Sequence, residues 1–118
     1  MACLWLQNST RLPKNTRRLI AHANTVHVSS VSIWEAAIKI RLGKLKAETD
    51  DLVEAITSSG FLELPFTAKH AAGVLNLPDY HRDPFDRALI SQAICEPLRL
   101  LTLDETLAQY SMLVEVTD

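Results

Sequence analysis

Three acidic residues, Glu35, Asp86 and Asp104, each stand close to where a regular element begins or ends. Carboxylates brought together repel one another, and a hard divalent cation is the simplest remedy. Mg²⁺ favours oxygen ligands, keeps several waters and leaves room for a phosphate. Mn²⁺ takes the same ligands. A cation held this way activates a water and neutralises charge on a phosphodiester. Other chemistries find little support in the chain. There is no Gly-x-Ser-x-Gly, and neither Cys3 nor Cys95 has a fitting His partner. Gly43, Gly60 and Gly73 are too scattered to form a phosphate-cradling loop.

The elements that must position these acids can be read locally. Asp86 belongs to the stretch from His81 to Ala93. Asp83 is a good N-cap there, because its carboxylate can accept from a free backbone N–H. Pro84 suits the first helical position, where no N–H is needed. Phe85, Ala88, Leu89 and Gln92 then recur at helical spacing, so the helix has a mostly apolar face. Read by itself, Asp86 answers the positive end of the helix dipole.

Thr25 to Ser29 is a β-branched run and predicts a strand. Ser32-Ile33-Trp34-Glu35 matches a capping box that opens a helix running to about Leu42, with Gly43 as its stop. The capping box is a full local explanation of Glu35. Leu98 to Leu103 suits a buried strand, and Asp104 follows it as the cap of a short helix. The remaining segments read as helices over 13–22, 49–59 and from a Thr67 cap, and as strands over 61–65 and 112–116. Met1 to Gln7 is a short apolar start, either a helical turn or the end of something longer. His27 reads as a structural residue and His70 as a surface or half-buried one.

Strands alternating with helices predict an α/β fold with a parallel sheet. A helix that follows a strand, or feeds the next one, starts at the carboxyl edge of such a sheet. Glu35, Asp86 and Asp104 all fall on that edge, where open α/β sheets place their sites. Each has a local role as a cap or first-turn charge; those roles do not explain the convergence.

Composition sets the frame. The chain has 118 residues, 47% hydrophobic, which suits one domain with a single core. A formal net charge of −2 excludes a generally basic nucleic-acid coat, so contact with phosphate needs a local patch or a bound metal. The candidate patch is Arg11, Lys14, Arg17 and Arg18 on the helix over 13–22 and its approach. Two cysteines without CxxC or zinc spacing point to a reducing, cytosolic setting. No apolar run approaches the ~18–20 residues that span a bilayer, and no signal peptide is recognisable.

The stretches Val28 to Lys39, Gly43-Lys44-Leu45, Leu64-Pro65, Leu77-Pro78, His81 to Ala93 and Leu101 to Asp104 together resemble the PIN-domain ribonucleases of the VapC toxin type. They cover most of residues 11–116 in the family's order. The resemblance implies a three-layer α/β/α domain over residues 1–118 with a parallel sheet. It further implies an Mg²⁺- or Mn²⁺-dependent endoribonuclease that is the toxin of a toxin–antitoxin pair. Glu35, Asp86 and Asp104 match the family's metal-site acids, Thr102 its hydroxyl residue near the last of these, and Asp83 its Asp-Pro-Phe-Asp pattern. An RNA substrate, a cognate antitoxin and a homodimer are the implied partners. Family members open with a strand ending in an Asp-Thr-His-like motif, followed by an apolar helix rich in Leu and Trp. Met1 to Gln7 resembles only that helix, so the expectation is a chain shortened at its N-terminus, without the first, central strand and its acid. Two rivals follow: a PIN remnant that binds an antitoxin without catalysis, and a receiver-like α/β domain with an acidic pocket. The second needs a phosphoacceptor Asp at the end of an early strand, and residues 25–29 end in Ser.

Overall fold

A computed structural model describes residues 2–5, 18, 21, 25–80, 82–102 and 105–116. Among the described residues five strands form one sheet: β1 (Ala2–Trp5), β2 (Thr25–Ser29), β3 (Leu62–Leu64), β4 (Arg99–Thr102) and β5 (Val114–Val116). Their spatial order is β3-β2-β1-β4-β5, and every neighbouring pair is parallel. The helices are α1 (Ser30–Arg41), α2 (Thr49–Ser58), α3 (Ala68–Gly73) and α4 (Pro84–Cys95), with 3₁₀ turns at Val74–Asn76 and Glu105–Gln109. Among the described residues no helix is long and apolar enough to cross a membrane. The helix expected over 13–22 is represented by Arg18 and Ala21, which are helical and exposed; its other positions lie outside the described residues.

The expected absence of the central strand is overturned. Ala2–Trp5 fills that place, with Cys3 opposite Val26 on one side and Arg99 on the other, and Trp5 opposite Val28 and Leu101. A strand buried between two others needs no polar alternation. A short continuous apolar run therefore fits a helix or a buried strand equally well.

The α-helix α4 anchors the core. Leu89 and Ile90 are fully buried, and Ala88 and Ala93 nearly so, against Val31, Leu77, Leu98, Leu100 and Leu107. In β4 the consecutive residues Leu100, Leu101 and Thr102 are all buried. Successive side chains of a strand face opposite sides, so both faces of the sheet are covered there, as a three-layer α/β/α arrangement requires.

A second correction concerns His70, which is buried rather than at the surface. Its Nδ1 accepts from the Thr67 backbone N–H at 3.1 Å, and its backbone N–H donates to Thr67 Oγ1 at 3.3 Å. With Nδ1 accepting, Nε2 carries the proton and donates to Glu96 Oε2 at 2.7 Å. The imidazole thus closes the start of α3 and ties it to the end of α4.

Candidate active site

The strand order by itself marks a candidate position for a site. The chain winds outward from β1 through β2 to β3, then returns to β4 and β5 on the other side of β1. The direction of winding reverses between β1 and β4, and open α/β sheets bind ligands outside the carboxyl ends at such a point. Thr102 ends β4 there, 2% exposed.

The start of α4 matches its sequence signature. Asp83 is the N-cap, its Oδ1 accepting from the N–H groups of Phe85 at 2.9 Å and Asp86 at 3.2 Å. Pro84 is the first helical residue, and half-buried Asp86 lies in the first turn. Arg87, next in sequence, donates from Nη1 to the Pro78 carbonyl at 2.8 Å and to Tyr110 Oη at 3.2 Å. That guanidinium fastens the loop preceding α4 to the helix.

Glu35 departs from its expected setting. The cap of α1 is Ser29, not Ser32: Ser29 Oγ accepts from the Val31 N–H at 3.0 Å. The helix starts earlier than the capping box predicts, so Glu35 falls in the second turn and no acid lies in the first. The local explanation of Glu35 as a capping residue therefore fails. Its carboxylate is buried, with Oε1 lacking any hydrogen-bond partner among the described residues and Oε2 3.9 Å from Lys39 Nζ. A buried carboxylate oxygen with no donor is costly, and a cation is one species that would satisfy it. That orphaned oxygen, with hard-oxygen chemistry on the neighbouring element, fits a divalent metal.

An aromatic contact joins the two acidic helices. The Trp34 and Phe85 rings meet edge to face, centroids 4.8 Å apart at 78°. Each ring immediately precedes an acid, so the turns carrying Glu35 and Asp86 are in contact. Below them Ser29 Oγ donates to Gln92 Oε1 at 2.5 Å, and Gln92 Nε2 donates to the Leu64 and Pro65 carbonyls at 3.4 and 3.3 Å. The Ser29–Gln92 bond locks the end of β2 to the third turn of α4. Sequence reasoning missed this tie, although a Gln on the apolar face of α4 was its visible sign.

Asp104 lies outside the described residues, as do Arg11, Lys14 and Arg17; Arg18 is exposed. Among the described residues no three His, Cys, Asp or Glu side chains form a metal-binding group. The carboxyl end of β1 brings no acid, because the first acidic residue of the chain is Glu35. His27, half-buried on β2, has a buried Nδ1 without a hydrogen-bond partner among the described residues.

Comparison with curated proteins gives no match. Solved structures share the fold, among them the following three. VapBC2 from Rickettsia felis, bound to a DNA fragment from their promoter, matches with a TM-score of 0.73 and 21% identity over 100% of both chains. FitAB bound to an IR36 DNA fragment matches with a TM-score of 0.64 and 15% identity, over 98% of this chain and 94% of that one. FitAcB from Neisseria gonorrhoeae matches with a TM-score of 0.61 and 15% identity, over 94% and 95%. The sequence profile of the PIN domain matches residues 2–112, nearly the full length, and the chain therefore belongs to the PIN-domain family.

Proposed function

We propose that this protein is the nuclease of a toxin–antitoxin pair, a VapC-type endoribonuclease that hydrolyses RNA phosphodiester bonds with Mg²⁺ or Mn²⁺. The observation that carries the reading is the buried Glu35 carboxylate, one oxygen of which has no hydrogen-bond partner among the described residues, one residue from the ring that contacts α4 beside Asp86. Glu35, Asp86 and Asp104 are the residues that would hold the cation, with Thr102 beside them in support. When bound, such a cation supplies activation of water and neutralisation of phosphodiester charge. The chain's own contribution is positioning. Asp83 fixes the first turn of α4 and so the backbone of Asp86. The Ser29–Gln92 bond holds α1 against α4, and Lys39 balances one oxygen of Glu35. An antitoxin partner is supported by the structural likeness to VapBC2 and FitAB, which are solved as complexes; the RNA substrate and a homodimer rest on the family.

A second reading has its own observation. The central strand β1 carries no acid, and residues 1–34 contain none. On that reading the protein is a PIN domain that pairs with an antitoxin and does not cleave. One experiment separates the two. Mn²⁺ binding by calorimetry and cleavage of a mixed-sequence RNA are measured on the parent, Glu35→Gln and Asp86→Asn. The nuclease reading expects binding and turnover in the parent, with turnover lost and Mn²⁺ affinity reduced at least 10-fold in both variants. Antitoxin binding without Mn²⁺ affinity or turnover in the parent would establish the non-catalytic reading.

A further inference from the structure

We infer that the exposed face of α1, from Trp34 to the basic turn after the helix, is a track for single-stranded RNA, with Trp34 as a base-stacking platform. The inference rests on the nuclease reading and adds the surface by which the substrate is held. Three observations carry it. First, Trp34 is 61% exposed, an unusual state for so large an apolar ring, and Phe85 braces it edge to face. A braced indole with an open face is the platform on which unpaired bases stack. Second, the Trp34–Phe85 contact joins the helical turns that carry Glu35 and Asp86, so a base on Trp34 would lie near those two turns.

Third, the face runs into positive charge. Arg41 lies seven residues after Trp34, on the same side of the helix and about 10 Å along its axis. Residues 39–46, Lys-Ile-Arg-Leu-Gly-Lys-Leu-Lys, hold four basic residues and no acid in a chain whose net charge is −2. Arg41, Lys44 and Lys46 are exposed and, among the described residues, make no ion pair. The turn is also fixed. Gly43 takes a φ of 73°, its N–H donating to the Ile40 carbonyl at 3.0 Å, while the Lys44 N–H donates to the Lys39 carbonyl at 2.8 Å. This is a Schellman closure, and it holds the Lys44 backbone against the helix end. Ile38 and Leu42 are exposed on the same side. A purely apolar partner helix could cover them, but it would leave the cations at its rim without counter-charge. RNA supplies both base faces and phosphates.

The test uses the full chain in EDTA, so that nothing is cleaved, with fluorescein-labelled octauridylate and a duplex RNA of equal length as probes. Trp34→Ala is expected to weaken octauridylate binding about 10-fold, the cost of one lost base stack. Trp34→Phe is expected to stay within about threefold of the parent, and duplex affinity is expected to be the same in all three proteins. Arg41→Gln with Lys44→Gln is expected to lower the slope of log affinity against log salt by about 1.4, for two phosphate contacts on a single strand. Unchanged octauridylate affinity in Trp34→Ala, in a parent that cleaves RNA, overturns the track and leaves the nuclease reading intact. A parent that neither binds nor cleaves RNA overturns both. If Trp34→Ala keeps its RNA affinity but loses self-association or an antitoxin in sedimentation, the face is a protein-docking surface and the track is wrong.

Discussion

Asp83 and Asp86 show how two acids three residues apart divide their work. Asp83 satisfies two free N–H groups of α4 with one oxygen, and Asp86 sits in the turn that this cap holds. The Asp83→Ala variant is expected to lose about 1 kcal/mol of stability, or roughly 3–6 °C in Tm for a chain of this size. Asp83→Asn keeps an accepting oxygen and is expected to melt within a degree of the parent and to retain Mn²⁺ affinity. Thermal melts with Mn²⁺ calorimetry check this; an Asn variant with parental Tm and lost Mn²⁺ affinity would make Asp83 a ligand rather than a cap. This cap was legible because its signature is local: a cap residue, then proline, then helical spacing. Glu35 was only half legible. The helix that carries it was readable, but its start was not, because Ser29, Ser30 and Ser32 can all cap a helix. What selects Ser29 is its hydroxyl bond to Gln92, sixty-three residues away, and no local pattern carries such a partner.

The close approach of α3 to α4 rests on a single missing methyl group. A Cβ on Gly73 would lie 2.6 Å from Ser91 Oγ, and that hydroxyl donates to the His70 carbonyl at 2.6 Å. Gly73→Ala is therefore expected to destabilise by about 1–3 kcal/mol, the usual cost of overpacking a filled contact. Ser91→Ala removes the clashing oxygen, so the double variant is expected to be more stable than the sum of the single effects by at least 0.5 kcal/mol. Urea unfolding of the four proteins measures the coupling, and strict additivity would show that the helices separate rather than strain. The same two helices explain the misjudged burial of His70. No local pattern announces the two partners that hold its ring, the Thr67 backbone N–H and Glu96 at the end of α4. By contrast the strand at Thr25–Ser29 and the start of α4 at Pro84 were legible to the residue. A β-branched run and an Asp-Pro cap need no distant partner to be recognised.

Five parallel strands hold together through the shortest-range accident of the sequence, four apolar residues at its beginning. β1 is paired along both edges, to β2 and β4, so every other strand reaches the far side of the sheet only through it. Without it the sheet would fall into two pairs, β3 with β2 and β4 with β5, each exposing a row of unsatisfied backbone groups. A strand in that position opens only with the fold as a unit, whereas an unpaired or edge segment exchanges its amides by local opening. The consequence is specific. The amides of Cys3, Leu4 and Trp5 are expected to be protected from hydrogen exchange to the same extent as those of Leu100 and Leu101, which lie opposite Leu4 and Trp5 in β4. NMR-detected exchange in native buffer reads this directly. Exchange of the β1 amides at unprotected rates, with β4 protected, would show that Ala2–Trp5 does not complete the sheet. The apolar start would then behave as the Leu- and Trp-rich helix it resembles in sequence, and the centre of the sheet would need a strand from elsewhere. Equal protection would instead fix β1 as a central strand that closes the fold without bringing an acid, and would leave Glu35, Asp86 and Asp104 to hold any cation by themselves.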